Sequence, residues 1–182
     1  MKGNDISRYF LGFGLITLVV VVAAYLSYHQ PKPLAVNGKV KQREAAAPLP
    51  PAATKLKDSI VAFGMSFLGT PYTASGCSKD GFDCSGFVYF VFQHYKIDVP
   101  RSSAGFEHFG KEIPVENVEK GDVLVFLSPT QHVIGHIGIV STANGATSSF
   151  IHASSGREMK VIISSLATEG YKRRFVKAIR VL

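Results

Sequence analysis

The sequence has no Trp, and charged residues make up only 18% of its 182 positions. Aromatic content nevertheless reaches 11%, with thirteen Phe, so the chain folds rather than staying disordered, and its length allows one domain with appendages. No basic cluster interleaved with aromatics occurs, which excludes a nucleic-acid-binding surface. The net charge of +7 is uneven: residues 1–54 hold six Lys/Arg against two acids, and residues 55–182 hold fourteen against eleven. The later part is therefore only mildly basic, enough for weak attraction to an anionic surface. There is no internal repeat. His132 and His136 stand four apart but lack a carboxylate or Cys partner, so neither a metal site nor a cofactor is expected. His29, His94 and His108 read as surface or helix residues.

Residues 9–27 are almost wholly apolar and long enough to span a bilayer as a helix. A signal peptide is the competing reading, but Ala24-Tyr25-Leu26-Ser27 puts bulky residues where a cleavage site needs small ones. No Cys follows the run, which removes a lipoprotein. Residues 1–28 are thus expected to be a membrane anchor. Residues 29–54 hold Pro31, Pro33, Pro48, Pro50, Pro51 and Ala45-Ala46-Ala47, the composition of an extended linker. Residues 55–182 remain for the folded domain.

Within it, Leu56, Ile60, Phe63 and Phe67 fall at helical spacing and predict a helix over residues 54–68, stopped by Gly69 and Pro71. A second helix is predicted from Cys84 to about Tyr95, and a short third after Pro100. Strand-like runs follow at residues 122–126, 136–141, 149–153, 161–164 and 176–182. Helices first and antiparallel strands after them indicate an α+β fold.

The chemistry concentrates at Asp83-Cys84-Ser85-Gly86, followed by the apolar run Phe87 to Phe92. Asp83 suits an N-cap, so Cys84 stands at a helix N-terminus, where free N–H groups and the macrodipole favour thiolate and offer donors to an oxyanion. A small buried core residue is the alternative for this Cys. Downstream, His136 and His152 each sit in a short strand-like run, which completes a nucleophile, a base and an orienting group. Asn144-Gly145 marks a turn between the two His strands. A two-residue loop there would set His136 against Ala153 and turn His152 away; an odd or bulged turn centred on Asn144 would set the two His face to face. The second is expected.

Six ordered motifs carry a resemblance: GTPYTASG (69–76), DCSGFV (83–88), VPRSSAGF (99–106), KGDVLVF (120–126), GHIGIV (135–140) and FIHASSG (150–156). Over residues 56–182 the chain resembles the NlpC-type cell-wall cysteine peptidases. The resemblance implies a papain-like domain, with the catalytic Cys at a helix start packed on an antiparallel sheet, that hydrolyses peptide bonds in peptidoglycan stem peptides. It also implies Cys84 as nucleophile, His136 as base and His152 as the group that orients it. Tyr72 matches a family Tyr that lines the site and can donate to an oxyanion. Asp83, Ser85, Arg101 and Ser102 match positions near the substrate cleft, although for Asp83 a pure capping role serves equally well.

Cys77, seven residues before Cys84, suggests a disulfide, but a bridged Cys84 cannot attack, so Cys84 is read as free and Cys77 as able to pair with it reversibly. Lys32, Lys39, Lys41 and Arg43 outnumber Lys2 and Arg8 and by themselves favour a cytoplasmic domain. The implied substrate overrides this, and a periplasmic or wall-facing domain is expected. Two other functions use the same residues: an acyltransferase or thioesterase, and a wall-binding module without catalysis. A regulatory protein partner is left open.

Overall fold

The computed structural model describes residues 51–182 together with Ala24, Tyr25, Ser27 and Tyr28, which are helical and exposed. The expected anchor over residues 9–27 and the linker over residues 29–54 lie almost wholly outside the described residues. No helix among those described is long and apolar enough to cross a membrane. The chain divides into two units, residues 1–46 and 47–182. The second carries everything that follows.

Helix α1 (Pro51–Met65) begins three residues earlier than predicted, because the fixed φ of Pro suits the first helical turn. A two-stranded ribbon follows, β1 (Cys77–Ser78) with β2 (Gly81–Phe82), and leads into α2 (Cys84–His94). Then come β3 (Lys111–Ile113), β4 (Val123–Leu127), β5 (Ile134–Thr142), β6 (Ser149–Ser154), β7 (Lys160–Ser165), the short α3 (Glu169–Arg174) and β8 (Phe175–Arg180). The last six strands form one antiparallel sheet in the order β3-β8-β4-β5-β6-β7. The α+β prediction holds. The ribbon, β3 and α3 had no counterpart in the sequence reading.

Alternation along the strands gives the sheet two dry faces. Val123, Val125, Ile137, Ile139, Ile151 and Ala153 join Ile60, Phe87, Val88, Val91 and Phe92 of α1 and α2 in the larger core. Burying each such aliphatic or aromatic side chain contributes roughly 1.5–3 kcal/mol. Leu124, Phe126, Val140, Phe150 and Ala178 point the other way and pack with Leu166, Tyr171 and Phe175. His136 and His152 belong to this second face, their rings lying against Phe126, Phe150 and Tyr171.

The register between β5 and β6 corrects the expected face-to-face pairing of the two His. Ile139 pairs with Ile151 and Val140 with Phe150, after which a bulge shifts the register before Thr142 and Ser149. Continued along the strands, that register sets Gly138 opposite His152 and His136 one step diagonal to it. Both rings still share a face, because the offset is even. The bulge belongs to a turn in which Ser148 Oγ accepts from the Asn144 N–H at 2.8 Å and donates to the Gly145 carbonyl at 2.7 Å.

Gly138 makes the close strand pairing possible. A Cβ there would lie 2.5 Å from the Phe150 ring, 3.0 Å from the Ile151 carbonyl and 3.1 Å from His152 Cβ. Its absence lets β5 lie close against Phe150 and the β6 backbone where the two His strands pair. Gly138→Ala is therefore expected to cost about 1–3 kcal/mol by overpacking, read from the midpoint of denaturant unfolding. A variant as stable as the parent would show that the strand pair is not closed at this point.

Candidate active site

Asp83 closes the N-terminus of α2. Its Oδ1 accepts from the Gly86 N–H at 2.6 Å and from Ser85 Oγ at 3.0 Å. Arg101 donates to both carboxylate oxygens, at 3.1 Å and 2.9 Å, to Ser85 Oγ at 3.2 Å and to the Ser75 carbonyl at 2.9 Å. Burial alone would raise the Asp83 pKa, but the Arg101 guanidinium and the Gly86 N–H hold it below the ordinary carboxylate value. Asp83, Ser85 and Arg101 are thus one cluster beside Cys84. Ser102 stands apart from it: its Oγ accepts from the Gly105 N–H at 3.2 Å and caps a 3-10 turn at Ser103–Glu107. Gly86 is required here because the Gly76 carbonyl occupies the place a side chain would take.

Cys84 is buried, at 9% exposure, and is a free thiol. Its sulfur donates to the Gly135 carbonyl at 3.8 Å, while the N–H groups of Ser85, Ile137 and Cys84 itself favour its anion. Burial and the neighbouring Asp83 carboxylate outweigh those donors and push the thiol above its ordinary value. These oppose the N–H groups at the helix N-terminus, which favour the thiolate as the sequence suggests. Cys77 is also free, and its thiol meets the Gly86 carbonyl at 3.6 Å.

The residue between Gly135 and Ile137 is His136. Its Nε2 lies 2.9 Å from His152 Nδ1, with the two rings perpendicular. Among the described residues its Nδ1 has no hydrogen-bond partner, and His136 lines a cavity with Gly135, Ser155, Tyr171 and Arg174. His152, with no exposure, turns Nε2 to Ser164 Oγ at 3.0 Å and to the Tyr171 hydroxyl at 3.3 Å. Burial drives both imidazoles towards the neutral form, helped at His136 by His152 and Arg174. His136 falls well below its ordinary value and His152 to about 4.

In a chain of neutral rings the tautomers are linked. If Ser164 Oγ accepts from His152 Nε2–H, then His152 Nδ1 accepts from His136 Nε2–H, and His136 Nδ1 is left as a basic lone pair. Ser164 and Tyr171 were not singled out from the sequence, because an isolated hydroxyl far from the motifs gives no signal there. Tyr72 lies close enough to Cys84, Asp83 and Ser155 to interact with them. Burial raises its phenol pKa, as do nearby Cys84 and Asp83, while Ser155, which lines the same cavity as His136, pulls it back.

Comparison with known proteins follows the same outline. The NlpC/P60 family model matches residues 69–180. A gamma-D-glutamyl-L-lysine dipeptidyl-peptidase of Bacillus cereus is 33% identical over 134 residues, 71% of this chain and 38% of the relative. The murein DD-endopeptidase MepS/murein LD-carboxypeptidase of Escherichia coli is 35% identical over 115 residues, 63% of this chain and 57% of the relative. The chain thus spans well under two thirds of the length of these relatives. The crystal structure of an NlpC/P60 family protein from Bacillus cereus superposes with a TM-score of 0.62 at 31% identity, covering 69% of this chain and 40% of that one.

Nitrogen-detected NMR of the imidazoles should find His136 and His152 neutral at pH 7, both protonated on Nε2, and His152 titrating near 4. In the unfolded chain these groups protonate near 6.5, so the unfolded state binds more protons and stability falls as pH drops from about 6.5 to 4, by about 3 kcal/mol for His152 alone. A titration midpoint for His152 near 6.5 would contradict the dry setting of the pair.

Proposed function

Because the chain belongs to the NlpC/P60 family, we propose that it is a cysteine-type hydrolase of peptidoglycan stem peptides, with Cys84 as nucleophile. The observation that carries this reading is the buried His136–His152 hydrogen bond beside a thiol at a helix N-terminus.

In this mechanism the thiol turns from the Gly135 carbonyl and gives its proton to His136 Nδ1 as the sulfur attacks the scissile carbonyl. Burial disfavours charge on the thiol and on both rings, so in this mechanism charge develops as the C–S bond forms. The new oxyanion is met by N–H groups at the start of α2 and by the Tyr72 phenol. His136 then protonates the leaving amine as the C–N bond breaks and a thioacyl enzyme remains. Water, deprotonated by the same ring, releases the acid and restores the thiol. His152 holds the His136 ring and tautomer, a weaker hold than a carboxylate would give. The Asp83–Arg101 cluster presents charge and donors to the acyl half of the substrate. Residues 9–27 anchor the enzyme in the membrane with this domain outside, and the linker up to residue 50, before α1 begins at Pro51, gives it reach.

The test uses the whole chain. It is expected in the membrane fraction and, added to purified sacculi under reduction, to release peptide fragments whose new termini name the bond cut. Cys84→Ala and His136→Ala should each release at least a hundredfold less, the scale set by loss of a nucleophile or base. Release by Cys84→Ala at the parent rate would overturn the mechanism. Transfer of the peptide to added amines, with no hydrolysis, would point to an acyltransferase.

A further inference from the structure

Three arginines are held firmly in the folded unit, and two of them are neutralised. Arg101 pairs with Asp83, and Arg180 with Asp122 and Glu119. Arg174, at the end of α3, has no carboxylate partner among the described residues. Its Nε donates to the Gly170 carbonyl at 3.0 Å and its Nη1 to the Leu127 carbonyl at 2.9 Å, and the guanidinium lies 5.2 Å from the centre of the Tyr171 ring. These contacts fix the plane of the group and use two of its five donors. Nη2 has no partner among the described residues.

The fixed cation faces a cavity of about 160 Å³, lined by His136, Gly135, Pro129, Ser155, Tyr171 and Arg174 itself, with no acidic residue in its wall. That is room for several water molecules or one short side chain. Its place is informative. His136 is the group that protonates the leaving amine, so the part of the substrate beyond the cut bond must start at this ring. A half-buried, pre-oriented guanidinium with free donors matches the planar, bidentate geometry of a carboxylate.

We propose that Arg174 and the cavity beside His136 form a carboxylate-binding subsite for the half of the substrate that leaves as the amine. This rests on the hydrolase reading and deepens it. The enzyme would select peptides bearing a free carboxylate just past the cut bond. Arg174 also disfavours the imidazolium of His136, and a bound carboxylate removes that penalty as the proton arrives.

Two synthetic stem peptides test it, identical except that one carboxylate in the leaving half is free in one and amidated in the other. The whole chain is expected to cut the free acid at least tenfold more efficiently in kcat/KM, and Cys84→Ala to bind it at least tenfold more tightly. Arg174→Gln should abolish the preference, bringing the acid and the amide to the same kcat/KM. Arg174→Lys, which keeps the charge but loses the fork, should retain part of the preference. Equal binding of the two peptides by Cys84→Ala overturns the subsite. So does an equal loss on both peptides in Arg174→Gln, which would mark Arg174 as a brace for α3. Failure to cut either peptide while the binding preference persists would count against the hydrolase reading and leave the subsite standing.

Discussion

The hydrogen bond between His136 and His152 is the contact on which the site depends. Two imidazoles 2.9 Å apart in a dry interior cannot both carry charge, so burial makes each a neutral partner of the other. That demand reaches outward. Gly138 must lack a side chain for β5 to lie against Phe150 and the β6 backbone, and the bulge after Val140 accompanies the diagonal register. Ser164 and Tyr171 must face His152 from β7 and α3. The second hydrophobic face, with Phe126 and Phe150, keeps water out.

The thiol arrives from the opposite side of the sheet. Helix α2 packs on the larger core and delivers Cys84 to the backbone on either side of His136, while Asp83 and Arg101 pin the start of that helix. Two structural units that share little sequence neighbourhood thus meet at one residue. The cluster around Asp83 adjoins Cys84 and the cavity around Arg174 adjoins His136, with opposite demands: a compensated ion pair in one, a cation without a carboxylate in the other.

Much of this was legible in the chain. The cap at Asp83, the apolar face of α2 and the alternating strands carry strong local signals, and each formed within a few residues of its predicted limits. The two His were readable as strand residues, but their pairing was not. Register here is decided by a bulge and by Ser148 hydrogen bonds inside the turn, which no periodicity encodes. α3 was missed because Glu-Gly-Tyr-Lys-Arg-Arg has no apolar period, and Tyr171 and Arg174 were missed with it. The balance of forces at Cys84 was hidden for a different reason. Helix-end electrostatics was judged without the burial of Cys84 or the charge on its own cap.

The central claim is that Cys84 rests as a thiol beside neutral imidazoles, not as an ion pair. The most direct test is the rate of Cys84 alkylation by iodoacetamide across pH, followed by mass spectrometry of its peptide. A thiol awaiting its base should react slowly at neutral pH and climb only above the ordinary thiol range. A rapid plateau between pH 5 and 7 that disappears in His136→Ala would reveal a resting thiolate–imidazolium pair and contradict the account.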